Sequence, residues 1–128
     1  MPVNLLLVGL GGALGSIARY LVSSWAQTAM KNATFPYGTL AVNLFGCLVI
    51  GFMAQLAETR GVFTPESRAL VFFGLLGGFT TFSTFGNETF NLARGGEGWS
   101  ALANIGANVV IGLLAVWLGR SLAYLIWK

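Results

Sequence analysis

Four stretches of this chain stay apolar for long enough to cross a bilayer, and polar residues collect in the short gaps between them. A helix spanning the hydrocarbon needs about 20 mainly apolar residues. The pattern predicts helices over about 3–29, 37–57, 67–93 and 100–126. The first gap holds Lys31, Asn32 and Pro36. The second holds Glu58, Thr59, Arg60, Gly61, Pro65, Glu66 and Arg68, with Thr64 placed to cap the third helix at Pro65. The third gap is Arg94-Gly95-Gly96-Glu97-Gly98, rich in turn formers. Trp25, Tyr37, Trp99, Trp117 and Trp127 fall near the proposed ends, where an aromatic belt belongs. Residues 1–128 therefore read as a single all-α integral membrane domain without a long repeat. The first apolar run has no basic residues ahead of it and no A-x-A cleavage site, so it reads as a retained helix.

Composition narrows the choice further. The chain is 55% hydrophobic and 9% charged, against about 25% charged in soluble domains. It has no histidine and one cysteine, Cys47, which leaves no disulfide framework and little basis for a His or Cys metal centre. The only acids are Glu58, Glu66, Glu88 and Glu97, three of them at predicted ends or loops, so a paired-carboxylate active site is not expected. The seven basic residues are scattered and form no stripe for nucleic acid. With an even number of spans, Arg60, Arg68, Arg120 and Lys128 share one side, and Lys31 and Arg94 share the other. That split is a weak orientation signal under the positive-inside rule. It fits a modest bias or a chain that inserts both ways round, and charge alone does not choose.

The run Gly77-Gly78-Phe79-Thr80-Thr81-Phe82-Ser83-Thr84-Phe85 interrupts the third predicted helix near its middle. Irregular backbone at membrane depth persists only where protein or water satisfies its freed groups. The run is thus a candidate ion or substrate site. Gly77 and Gly78 are read as the break, which either frees carbonyls for a bare cation or kinks the helix with no ion. Phe82 and Phe85, three apart, share one helical face. They either pack there or present positive ring edges to a dehydrated anion. Thr80, Thr81, Ser83 and Thr84 add hydroxyls that serve a polar path or bond back to their own helix.

Polar residues in the other spans extend the list. Asn43 lies in mid-span with two donors and one acceptor on its amide. It either ties two helices together or faces a wet path, and Thr39, four residues earlier, favours a polar track. Asn104 and Asn108 repeat that spacing on the fourth helix as a candidate opposing wall. Arg19 lies deep in the first span, where a guanidinium costs roughly 2.5–3.5 kcal/mol even on insertion scales. It should pair with Glu88, reach helix-terminal carbonyls, or line a watery vestibule. Glu88 is open to a proton-coupled or a structural role. The many glycines, such as Gly11, Gly15, Gly46, Gly51 and Gly112, suit close helix packing in lipid. The stretch from Gly9 to Gly15 is not preceded by a strand, which argues against a dinucleotide loop.

Three ordered motifs resemble the Fluc family of fluoride channels over nearly the whole chain. They are Gly11-Gly12-Ala13-Leu14-Gly15-Ser16-Ile17-Ala18-Arg19-Tyr20, then Gly38-Thr39-Leu40-Ala41-Val42-Asn43 with Gly46, and then Gly77–Phe85 with Glu88 behind it. The resemblance implies an antiparallel, dual-topology homodimer in a microbial plasma (inner) membrane, with two fluoride pathways and a central structural Na⁺. It implies that Asn43 hydrogen-bonds fluoride and that Phe82 and Phe85 are edge-on rings. Thr39 with Ser83 or Thr84 would belong to the polar track, and Arg19 to the vestibule. Gly77 and Thr80 would give carbonyls to Na⁺. Family members commonly carry hydroxyl side chains where this chain has Asn104 and Asn108. The expected activity is passive fluoride export, without enzymatic chemistry. The rival reading is a small multidrug-type proton-coupled antiporter. It needs a carboxylate in the first helix, where this chain has Arg19.

Overall fold

Each apolar stretch becomes a helix in the computed structural model, which describes residues 2–31 and 33–127. Asn32, in the first predicted loop, and Lys128, in the charge count above, lie outside the described residues. The four spans are Pro2–Ala29, Tyr37–Arg60, Pro65–Arg94 and Gly98–Ile126. At about 1.5 Å per residue, even the 24-residue second helix exceeds a hydrocarbon core of about 30 Å. The boundaries lie within a few residues of those predicted. Thr64 caps the third helix as expected, accepting from the Ser67 N–H at 3.1 Å with Pro65 in the first helical position.

The helices pair through glycine. The first packs on the proximal half of the third (residues 65–79), and the second packs on the fourth. A Cβ on Gly11 would lie 2.9 Å from the Gly74 Cα, and one on Gly15 would overlap the Leu75 carbonyl. Gly51 faces the Val116 backbone and Gly119 faces that of Leu48 in the same way. Because lipid tails are as apolar as leucine, such close backbone contact and its dispersion energy replace the hydrophobic drive that folds proteins in water.

The third helix is broken near its middle, but not where the glycines suggested. Gly77 and Gly78 are helical, within Gly77–Phe79. The break falls at Thr80 (φ −89°, ψ 158°) and Thr81 (φ −152°, ψ 123°), both extended. The glycines serve packing instead: a Cβ on Gly78 would lie 2.8 Å from the Gly12 carbonyl oxygen. The threonines stop and restart the helix through their hydroxyls. Thr80 Oγ1 donates to the Leu76 carbonyl at 3.0 Å, and Thr81 Oγ1 accepts from the Thr84 N–H at 3.3 Å to cap Phe82–Arg94. Before the break, Ala69–Leu76 winds as a π-helix, and Ala107–Ile111 does so in the fourth helix. Such widened turns often accompany functional sites; here the first leads toward the break and the second contains Asn108.

At one end of the bundle Arg60 donates to the Trp127 carbonyl at 2.7 Å, and Arg120 pairs with Glu58 at 3.0 Å. This places two of the counted basic residues, Arg60 and Arg120, at one end, as an even number of spans requires.

Candidate functional site

The break sits between two spaces. On one side is a cavity of about 390 Å³ whose lining includes Asn43, Gly77, Thr80, Phe82, Phe85 and Asn108. Among the described residues, no charged side chain lines it. On the other side, a space of about 370 Å³ is bordered by Ser16, Arg19, Ser23, Thr39 and Thr84. Another of about 430 Å³, holding Gln27, Glu88 and Asn91, adjoins it through Ser23 and Ser24. Together these two make a polar groove between the first helix and the distal half of the third. Thr81 borders both the groove and the cavity.

Asn43 ties the second helix to the break. Its Oδ1 accepts from the Thr81 N–H at 3.0 Å, and its Nδ2 donates to the Thr81 carbonyl at 3.2 Å and to Asn108 Oδ1 at 3.0 Å. The reciprocal pair with Thr81 satisfies backbone groups that the missing helical turn leaves free, as membrane depth demands. Gly46, one turn on, gives the Thr80 methyl its room.

The Phe82 and Phe85 rings lie 5.4 Å apart at 58°. Phe85 is buried, whereas Phe82 is 80% exposed on a single chain. Among the described residues, no backbone N–H from beyond the break takes the carbonyls of Gly77 or Thr80. Arg19 does not pair with Glu88. Its Nε donates to the Gly78 carbonyl at 3.1 Å, so the half-buried cation is met by a freed backbone oxygen while it also borders the groove. Glu88 Oε1 is buried with no hydrogen-bond partner among the described residues.

The remaining candidates separate. Thr39 is buried and faces the groove, away from the cavity that Asn43 lines. Thr84 borders the groove, whereas Ser83 is exposed and borders none of these three spaces. Asn108 stands opposite Asn43 in the cavity. Asn104 is 1% exposed and lines none of these spaces. It donates to Thr89 Oγ1 at 2.9 Å and joins the fourth helix to the third.

A protein-family model described as "CrcB-like protein, Camphor Resistance (CrcB)" matches residues 6–120. The chain belongs to this CrcB-like family. It is 48% identical over 119 residues to the "Fluoride-specific ion channel FluC" of Methylobacillus flagellatus, covering 93% of each chain. It is 42% identical over 117 residues to "Fluoride-specific ion channel FluC 1" of Methanosarcina acetivorans, covering 91% of this chain and 88% of the relative. A third relative of the same name, from Sorangium cellulosum, is 45% identical over 117 residues, 91% of each.

In this CrcB-like chain, sequence reasoning singled out Arg19 but missed the rest of the first-helix face that lines the groove. Ser16, Arg19, Ser23 and Gln27 recur at helical spacing, a signal that was present but spread over twelve residues. Gln27 also pins the first loop, donating to the Ala33 and Phe35 carbonyls at 2.7 and 3.0 Å and accepting from the Gly38 N–H. Thr89, four residues beyond Phe85, was missed as well.

Proposed function

We propose that the chain is a passive, fluoride-selective channel of a microbial plasma membrane. The observation that carries this reading is the uncharged cavity at membrane depth where the amides of Asn43 and Asn108 meet the rings of Phe82 and Phe85. A small, hard anion needs replacements for its water. Amide N–H groups and positive ring edges supply them without a full cation, which would hold the ion too tightly to conduct. The names of the relatives support the same ion. Fluoride enters a cell as its neutral acid and dissociates, and a channel lets the membrane potential expel the anion.

The working unit we propose is an antiparallel homodimer with two pathways and a Na⁺ between the copies. Phe82 and Phe45 are exposed in mid-span on a single chain, and the cavity that Phe82 lines with Gly77 is open. A second copy covers both. The Gly77 and Thr80 carbonyls fit a hard cation that takes oxygen ligands, and one chain offers too few for a closed shell. The near balance of charge at the two ends suits insertion both ways. The antiporter reading fares worse, since the first helix holds no acid and Glu88 lies in the groove.

The deciding experiment is ion efflux from liposomes carrying the purified chain, with chloride as control. Fluoride is expected to leave and chloride to stay. Retained fluoride, or equal loss of both ions, rejects the channel. Phe82→Ile and Phe85→Ile are each expected to slow fluoride efflux by about tenfold, the scale of a specific aromatic contact, with the dimer intact on size exclusion. Wild-type rates in both variants would remove the ring-edge role.

A further inference from the structure

The amides of this site form one directed ladder. Asn43 Nδ2 donates to Asn108 Oδ1 at 3.0 Å, and Asn108 Nδ2 donates to Asn104 Oδ1 at 3.0 Å and to its backbone carbonyl at 2.9 Å. Asn104 Nδ2 donates to Thr89 Oγ1 at 2.9 Å, and Thr89 Oγ1 donates to the Phe85 carbonyl at 2.7 Å. An amide nitrogen has two hydrogens to give. Both of Asn43's are spent, one on the Thr81 carbonyl and one on Asn108. The donor assigned to the anion is therefore occupied in this structure.

The three bonds of Asn43 are not equally hard to break. Those to Thr81 hold its plane by a reciprocal pair, and losing them would strip the N–H and C=O of the helix break at membrane depth, where each unsatisfied group is costly. The bond to Asn108 joins two side chains only, and Asn108 lines the cavity. Asn108 is itself held from behind by both oxygens of Asn104, which fixes its carbonyl oxygen toward Asn43.

We propose that Asn108 Oδ1 is a built-in stand-in for the anion: it holds the second N–H of Asn43 until fluoride takes its place. On this account Asn108 is the residue of this chain that sets how tightly the pathway holds its ion. It rests on the channel reading above, and it concerns amides that the chain carries where hydroxyls were expected. Fluoride wins the exchange because a hydrogen bond to an ion is roughly twice as strong as one between neutral groups. The occupant and the ion then compete for one N–H, so a weaker occupant raises affinity and a stronger one lowers it.

Two variants separate this from a merely structural amide. Conduction through the reconstituted full chain is measured against fluoride concentration, with chloride as control. Asn108→Ala removes the competing oxygen and is expected to lower the half-saturating fluoride concentration by about fivefold, the factor set by one net hydrogen bond. Asn108→Asp keeps the shape, provides a charged acceptor, and is expected to raise it more than about tenfold. A residue needed only for packing would move both in the same direction. Unchanged or raised half-saturation in Asn108→Ala overturns the proposal, as does half-saturation at or below wild type in Asn108→Asp, which decides alone if the alanine variant fails to reconstitute. A wild-type chain that passes no fluoride rejects the channel itself. A conducting wild type with either overturning result rejects only the exchange.

Discussion

Asn43→Ala is expected to cut fluoride efflux by at least about a hundredfold. The amide does two jobs, and alanine removes both. It withdraws a donor from the ion, and hydrogen bonds to charged groups contribute roughly 1.5–3 kcal/mol, while an orphaned buried partner costs a similar amount again. Here the orphans are the Thr81 N–H and carbonyl, which now pair with Asn43 at 3.0 and 3.2 Å. Asn43→Asp separates the two jobs. Its carboxylate still accepts from the Thr81 N–H but offers the ion no donor and adds a repelling charge. It should therefore yield folded protein that conducts no fluoride. Helical content and elution volume check the fold, and liposome efflux checks the function. Substantial flux through Asn43→Asp would mean that the amide is glue for the break and nothing more.

The second large effect is on assembly of the helices. Gly15→Leu should prevent the first helix from seating on the third. The added Cβ would overlap the Leu75 carbonyl and lie 3.0 Å from the Phe79 N. These are backbone atoms, and no rotamer change relieves the clash. Overpacking usually costs roughly 1–3 kcal/mol where side chains can shift, and this site exceeds that range because the helices themselves must separate. Separation would also carry Arg19 away from the Gly78 carbonyl and leave its charge unmet. The expected result is aggregated protein, or a thermal midpoint lower by about 10 °C or more. Gly9→Leu is the matched control, since a Cβ there meets nothing within 4 Å. Equal tolerance of both substitutions would remove the backbone-contact account of how these helices pair.

Much of this architecture was legible from hydropathy alone. Spans of this length have few alternatives in lipid, because backbone groups there find no water and a helix pairs nearly all of them internally. The existence of the break was also visible, since hydroxyls and glycines crowd one stretch. Its position was not. A glycine pair can bend a helix or admit a neighbour, and the choice depended on Gly12 of another helix, whose register the sequence does not encode locally. The decision fell to Thr80 and Thr81, whose hydroxyls bond the turns on either side. Within the site, Phe82 and Phe85 could be grouped because they share one helix. The meeting of Asn43 with Asn108 depends on how the second and fourth helices slide against one another, as set by Gly51 and Gly119. Single serines such as Ser23 were passed over because a lone hydroxyl in a membrane helix commonly bonds its own backbone.

The reciprocal clasp between Asn43 and Thr81 has a consequence for anyone reading this site by mutagenesis. One half of the clasp is a side chain, and the other is peptide that every residue except proline carries. A saturation scan would flag position 43 sharply. At position 81 it would report only the taste for a capping hydroxyl or carboxamide, and the contact itself would go unseen. Amide-to-ester replacement at residue 81, which deletes the N–H and leaves the threonine side chain in place, is the substitution that makes the hidden partner visible.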